Sequence, residues 1–168
     1  LSHIIIKKKL YDEAYLKANT DFPLLIRTDN YKNLKASDII KDYKPAPLSN
    51  MIKVIPDKDF SPGPSALHGQ THVKESLRNE WGDSVVWNRK TNKAVVLTRD
   101  ECGAEFAKKG IDPALTGEFE VTLTDGKKVK VVPVFHLIKE YLEEFTPENV
   151  SILTWAPKEA IVDLGGQI

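Results

Sequence analysis

The feature that most limits how this chain folds is the alternation between Glu118 and Pro133. Phe119, Val121 and Leu123 alternate with polar residues, Asp125-Gly126 supplies a tight turn, and Val129 and Val131 resume the pattern. A period of two puts the apolar set on one face, so the stretch predicts a β-hairpin. The period then changes. Val134, Leu137, Ile138, Tyr141, Leu142 and Phe145 recur at helical spacing and predict a helix with one continuous apolar stripe.

The rest of the chain alternates in the same way between the two periods. Leu1–Leu10 reads as the back end of an amphipathic helix, and Asp12 as the cap of a second that runs to about Asn19. Tyr11 and Leu16 are spaced for a hydrophobic staple across that cap. Pro23 opens a strand at Leu24-Leu25-Ile26, which ends in Arg27, Thr28 and Asp29. A short helical piece follows between Leu34 and Tyr43, started by Ser37 or Asp38. Prolines at 45, 47, 56, 62 and 64 and glycines at 63 and 69 make 44–70 a long loop, with a strand at Met51–Ile55. Val73–Trp81 predicts two helical turns. Ser84–Asn88 and Ala94–Leu97 predict a strand pair turning at Thr91-Asn92. Cys102–Lys109 reads as a brief helix stopped by Gly110. After Phe145, Thr146-Pro147 starts another helix and Pro157 a last one, with Ile161 and Leu164 inward and Gly165 as its stop. The expected class is α/β in the mixed α+β sense, with parts at 1–43, 44–70 and 71–168.

Charge and cysteine content narrow the function. Lys+Arg and Asp+Glu each total 24 in 168 residues, so nothing marks a nucleic-acid partner. No apolar run approaches the ~18 residues of a membrane span. The single cysteine, Cys102, excludes an internal disulfide and any multi-cysteine metal site. Glu101 and Glu105 beside it raise a thiol's pKa and argue against a nucleophile.

Two constellations invite a chemical reading. His68, His72 and Glu75 have the spacing of a metal site if they share a helix face, but Gly69 and the prolines before it favour two ordinary loop histidines. Arg27 and Asp29 end a strand, where ligands of open α/β sheets gather. Arg27 there either forks onto an anion or simply pairs with Asp29. His136 reads as a solvated helix residue, and His3 has only a helix edge for context. Gly63–Gly69 lacks the setting and the lysine of a phosphate loop. Trp81, Trp87 and Trp155 are scattered, with core packing the default for each. Asp12 and Glu13 form a helix start. No residue is assigned a catalytic, cofactor-binding or metal-binding role.

A resemblance reaches further than these patterns. Leu10-Tyr11-Asp12-Glu13-Ala14-Tyr15-Leu16 with Thr20-Asp21-Phe22-Pro23-Leu24-Leu25-Ile26-Arg27-Thr28-Asp29 resembles an internal segment of the molybdopterin oxidoreductases. It is most similar to large subunits of the nitrate reductase and nitrite oxidoreductase branch of the dimethyl sulfoxide reductase family. Leu34–Ile39, Leu115–Val121, Val132–Phe135, Tyr141–Glu148 and Trp155–Ile161 continue the resemblance in order.

The resemblance implies an incomplete dinucleotide-binding-type domain with a β-hairpin and a long loop insertion. It also implies an intact catalytic subunit that interconverts nitrate and nitrite by oxygen-atom transfer. Selenate, chlorate or hydrocarbon substrates, or a non-enzymatic α+β interaction module, are the alternatives. The implied cofactors are molybdenum bis(molybdopterin guanine dinucleotide) and an iron–sulfur cluster, with no residue here assigned to either. The implied partners are the remainder of the subunit, an iron–sulfur electron-transfer subunit and a small anionic substrate. A prokaryotic membrane-associated or periplasmic complex is the implied setting. With Leu1 first, the chain is expected to be an interior piece of a longer one that folds poorly alone.

Overall fold

The computed structural model describes residues 1–48, 52–61, 71–98, 101 and 104–167. Helix α1 (Ser2–Lys7) is followed by α2 (Glu13–Asn19), whose cap is Asp12: its carboxylate accepts the Tyr15 N–H at 2.9 Å. Strand β1 (Leu25–Arg27) leads through a turn to α3 (Ala36–Ile39). Strand β2 (Ile52–Ile55), a 3₁₀ turn at Asp57–Asp59 and strand β3 (Thr71–Lys74) precede α4 (Glu75–Trp81). Strands β4 (Ser84–Asn88) and β5 (Lys93–Leu97) come next, then α5 (Ala104–Lys108). The hairpin is β6 (Phe119–Thr122) and β7 (Lys128–Pro133), and three helices close the segment: α6 (Val134–Leu142), α7 (Pro147–Thr154) and α8 (Lys158–Gly166).

The hairpin forms as its alternation requires. Val121 faces Val129 and Phe119 faces Val131, while Gly126 takes a φ of 86° in the turn. Its β7 strand also pairs antiparallel with β1, giving a three-stranded sheet of order β1-β7-β6. The strands β4 and β5 pair antiparallel and β2 and β3 pair parallel. Single bridges, Leu24 to Val86 and Lys35 to Ser84, fasten β4 beside the first sheet.

Strand β4 divides the interior. Successive side chains of a strand point to opposite faces, and Val85 and Val86 are both fully buried. Val85 joins Leu25, Leu34, Val121, Val129 and Val131 in one cluster. Val86 joins Leu97, Phe106 and Ile111 in another. The Trp87 ring stacks on Phe119 with centroids 4.4 Å apart and planes 9° apart, closing the first cluster against the hairpin.

Several local expectations are corrected. The first residue of α3 follows Lys35, and Asp38 sits in its first turn, where its carboxylate accepts the Lys35 N–H at 2.9 Å. Val73 belongs to β3, paired with Val54, so the helix there starts only at Glu75. Tyr11 packs edge-on against Phe135 at 5.1 Å, which gives that ring a partner beyond the proposed staple. In α6 the buried residue is Phe135, outside the predicted stripe, and Tyr141 is exposed. The reason is position: the first turn of α6 lies against Tyr11 and Phe22, while its end is tied to α1 through His3 and the Leu142 carbonyl. In α8 Leu164 is 50% exposed and Gly165 is the buried residue. A Cβ on Gly165 would sit 2.6 Å from Ile4 Cδ1, so this glycine is where α8 packs on α1 and not a helix stop. Among the described residues no helix is long and apolar enough to cross a membrane.

Candidate functional site

A cleft of about 610 Å³ opens between the end of α2, the α4–β4 junction and the β5–α5 side of the second core. Thr20, Asp21 and Asn33 line one wall, Trp81, Gly82 and Ser84 another, and Val86, Leu97 and Phe106 the apolar floor. Rim groups are engaged locally. Thr20 Oγ1 donates to the Leu16 carbonyl at 2.6 Å, and Glu101 accepts the Thr98 N–H at 2.8 Å while pairing with Lys109.

Arg78 forms the inner wall, and its charge is matched below the surface. Helix α4 ends at Gly82, whose φ of 64° lets the chain reverse and aim Asp83 back beneath the helix. Arg78 Nη2 then meets Asp83 Oδ1 at 2.5 Å, with both side chains buried. Asp83 Oδ2 accepts the Tyr43 hydroxyl at 2.6 Å and the Ala46 N–H at 2.9 Å. Arg78 also donates to the Gly82 carbonyl at 2.5 Å and the Ala46 carbonyl at 2.9 Å. Burial, reinforced by the Asp83 carboxylate, pushes the Tyr43 hydroxyl up to about 12. This knot ties the start of the 44–70 stretch to the α4–β4 turn. Among the described residues, Arg78 Nε is a buried donor with no acceptor.

The sequence-predicted residues assemble differently. Arg27 does end β1, but in an antiparallel sheet, and its fork is already filled: Nε and Nη2 reach the Asp29 carboxylate at 3.0 and 2.9 Å. Lys127 contacts the same carboxylate at 3.2 Å, and Asp38 lies 3.9 Å from Arg27 Nη1. The Arg27 fork, with Lys127 behind it, holds the Asp29 carboxyl down at about 2. The pair is therefore the plain ion pair, with the Nε/Nη2 edge of the guanidinium already used.

His72 sits on β3 opposite Lys53 and Glu75 begins α4, so the two do not share a helix; His68 and Cys102 lie outside the described residues, as does 62–70 with its glycines. Among the described residues no three His, Cys, Asp or Glu side chains are placed to hold a metal. His136 is half-buried, accepting the Gly117 N–H at 3.4 Å and facing Glu140 at 3.3 Å, so it is not simply solvated. His3 meets the Leu142 carbonyl at 2.7 Å and ties α1 to the end of α6. Trp155 is 91% exposed, contrary to core packing. Glu13 pairs with Lys17 at 2.6 Å, and Lys17 with Asp112 at 2.8 Å, fastening α2 to the loop after α5.

Sequence reasoning missed Arg78, Asp83 and Tyr43. The signal was local: an arginine four residues before a Gly-Asp helix stop places its head at the reversal, where a carboxylate can meet it. The arrangement as a whole builds a recess whose inner wall carries the matched Arg78–Asp83 pair and, among the described residues, one buried donor without an acceptor.

Comparison with known proteins supplies what this geometry does not. No family model matches the chain. It is 29% identical to the perchlorate reductase subunit alpha of Dechloromonas aromatica over 98% of its length, covering 16% of that protein. It is 30% identical to the chlorate reductase subunit alpha of Ideonella dechloratans over 100% of its length, covering 14% of that protein. A 39-residue stretch, 23% of the chain, is 51% identical to 4% of the respiratory nitrate reductase subunit alpha of Haloferax mediterranei. The chain thus spans about a sixth of the length of the first of these relatives. With matches that run the whole length of the chain, it is similar to a segment of the alpha subunits of molybdopterin oxidoreductases, the dimethyl sulfoxide reductase family.

Proposed function

We propose that this chain is a scaffold segment of a molybdenum oxidoreductase catalytic subunit that interconverts nitrate and nitrite by oxygen-atom transfer. The observation that carries the catalytic reading is the end-to-end similarity to alpha subunits named for oxyanion reduction. The short stretch of higher identity to a nitrate reductase subunit favours nitrate. A second reading, chlorate or perchlorate as substrate, is favoured by the matches that span the chain.

The residues described here do not fit the cofactors such an enzyme uses. An iron–sulfur cluster takes several cysteine thiolates, and the chain has one cysteine. Arg27, the strand-end cation expected to meet an anion, is committed to Asp29. Any cluster would therefore take its thiolates from polypeptide outside this segment, with electrons passing to an iron–sulfur partner subunit, and no described residue is assigned to molybdenum or its pterin. The segment contributes a rigid wall.

The test is made on the native protein. Its intact mass, molybdenum and pterin content, and reduced-viologen turnover of nitrate, chlorate and perchlorate are measured together. The expected result is a chain several times 18.9 kDa that carries molybdenum and turns over nitrate fastest. A native mass near 18.9 kDa without molybdenum would favour a stand-alone interaction module instead. Faster turnover of chlorate or perchlorate would move the substrate to the second reading.

A further inference from the structure

The hairpin of α7 and α8 carries an apolar tip that the described fold does not cover. Ile152 is 73% exposed, Leu153 71% and Trp155 91%, three large apolar side chains within four residues. The tip is held in place. Thr146 caps α7 by accepting the Asn149 N–H at 3.2 Å, Lys158 pairs with Glu148 at 2.6 Å across the two helices, and Gly165 seats α8 on Ile4.

Trp155 is also costly where it stands. It ends α7 at φ 62°, ψ 10°, the left-handed region that glycine favours at this position. A bulky side chain kept in a strained conformation and almost fully in water gains nothing from the fold around it. Buried aromatic anchors are the residues that dominate contacts between packed surfaces.

We propose that this tip is an internal contact of the full subunit, covered by an apolar surface of the same polypeptide outside these 168 residues. The proposal rests on the catalytic-subunit reading above. Relatives of this segment are far longer than the part it matches, 16% and 14% of their lengths. Chain tethered to the segment meets the tip at a high effective concentration, ahead of any separate protein. The tip, Ile152 to Trp155, contains no charged residue, which suits permanent burial better than an interface that opens and closes.

Hydroxyl-radical footprinting of the native protein reads this directly, with Trp87, stacked on Phe119, as the internal standard. The expected result is that Trp155 in the isolated catalytic subunit is oxidised no faster than Trp87. Rapid oxidation of Trp155 in every preparation overturns the proposal. So does protection that appears only with a partner subunit bound, or protection that is lost on dilution, which assigns the tip to a second copy. The variant Trp155→Gly separates contact from strain, because glycine relieves the left-handed backbone. A covered tip makes its thermal midpoint fall; a bare surface tip makes it rise and overturns the proposal. Should the variant not accumulate, footprinting of the unaltered protein decides. Molybdenum assayed on the same samples keeps the two readings apart: a loaded subunit with exposed Trp155 sinks the contact alone. A protected Trp155 in a long chain without molybdenum supports the contact and sinks the catalytic reading.

Discussion

Asp83→Asn is the most informative single change in this segment. The carboxylate faces only donors: Arg78 Nη2 at 2.5 Å on one oxygen, Tyr43 Oη at 2.6 Å and Ala46 N at 2.9 Å on the other. An asparagine keeps the shape but turns one oxygen into an NH₂. Either orientation sets donor against donor, toward Arg78 or toward Tyr43 and Ala46. Arg78 is left buried without its counter-charge, and breaking one side of such a pair costs about 3–5 kcal/mol. Arg78 keeps its bonds to the Gly82 and Ala46 carbonyls, which puts the cost at the lower end, about 3 kcal/mol. Hydrogen exchange of the Ala46 amide in the native protein reports it locally, and about 3 kcal/mol corresponds to roughly a hundredfold faster exchange. A control replaces both charges, Arg78→Met with Asp83→Leu, and is expected to recover most of the loss because no buried charge is stranded. Unchanged exchange in Asp83→Asn, or a double replacement as damaging as the single one, would show that the buried charge pair does not hold the 43–46 stretch in place.

Other consequences follow from the same geometry. Tyr43 is pushed up to about 12 by burial and by Asp83, so its share of stability is complete below the ordinary tyrosine value near 10 and is lost as pH rises toward 12. A difference titration of the protein against Tyr43→Phe in the tyrosinate absorption band is expected to isolate that late component. Gly165→Ala improves helix propensity by about 1 kcal/mol, yet its Cβ would lie 2.6 Å from Ile4 Cδ1. Overpacking of about 1–3 kcal/mol is expected to win, with Ile4→Val, which removes the Cδ1 that the new Cβ would meet, recovering part of the loss in melting temperature. Arg27→Gln removes the main partner of Asp29, whose carboxyl then rises from about 2 toward its ordinary value. Because a depressed carboxyl stabilises above its unfolded value and loses that stabilisation as pH falls, the variant is expected to show less acid-induced loss between pH 4 and 2, read by fluorescence. The yield of folded protein is expected to drop in Asp83→Asn, measured against the unaltered chain, since the knot holds the 43–46 stretch to the α4–β4 turn.

What the sequence carried plainly was local and periodic. The Phe119–Val131 alternation, the Asp12 cap, the Thr146-Pro147 start and the Asn92 turn each depend on a few neighbouring residues, and each is where the spacing put it. The parts that were not legible depend on residues far apart. Gly165 reads as a helix stop until Ile4 is seen against it, and α6 turns out to bury Phe135 because Tyr11 and Phe22 come to meet it. Arg27 and Asp29 were legible as a pair, but only the arrival of Lys127 from the hairpin shows how fully the carboxylate is occupied. The knot of Arg78, Asp83 and Tyr43 was missed for the same reason: Tyr43 and Asp83 are 40 residues apart.

The knot and the two apolar clusters meet at β4. Val85 and Val86 put the two apolar clusters back to back across one strand. Asp83, just before β4, fixes the 43–46 stretch, and Trp87 within it fixes the hairpin. Displacing β4 would therefore disturb both clusters and the cleft wall together. Packing of that kind constrains residues along the whole length, because close-packed interiors tolerate few volume changes.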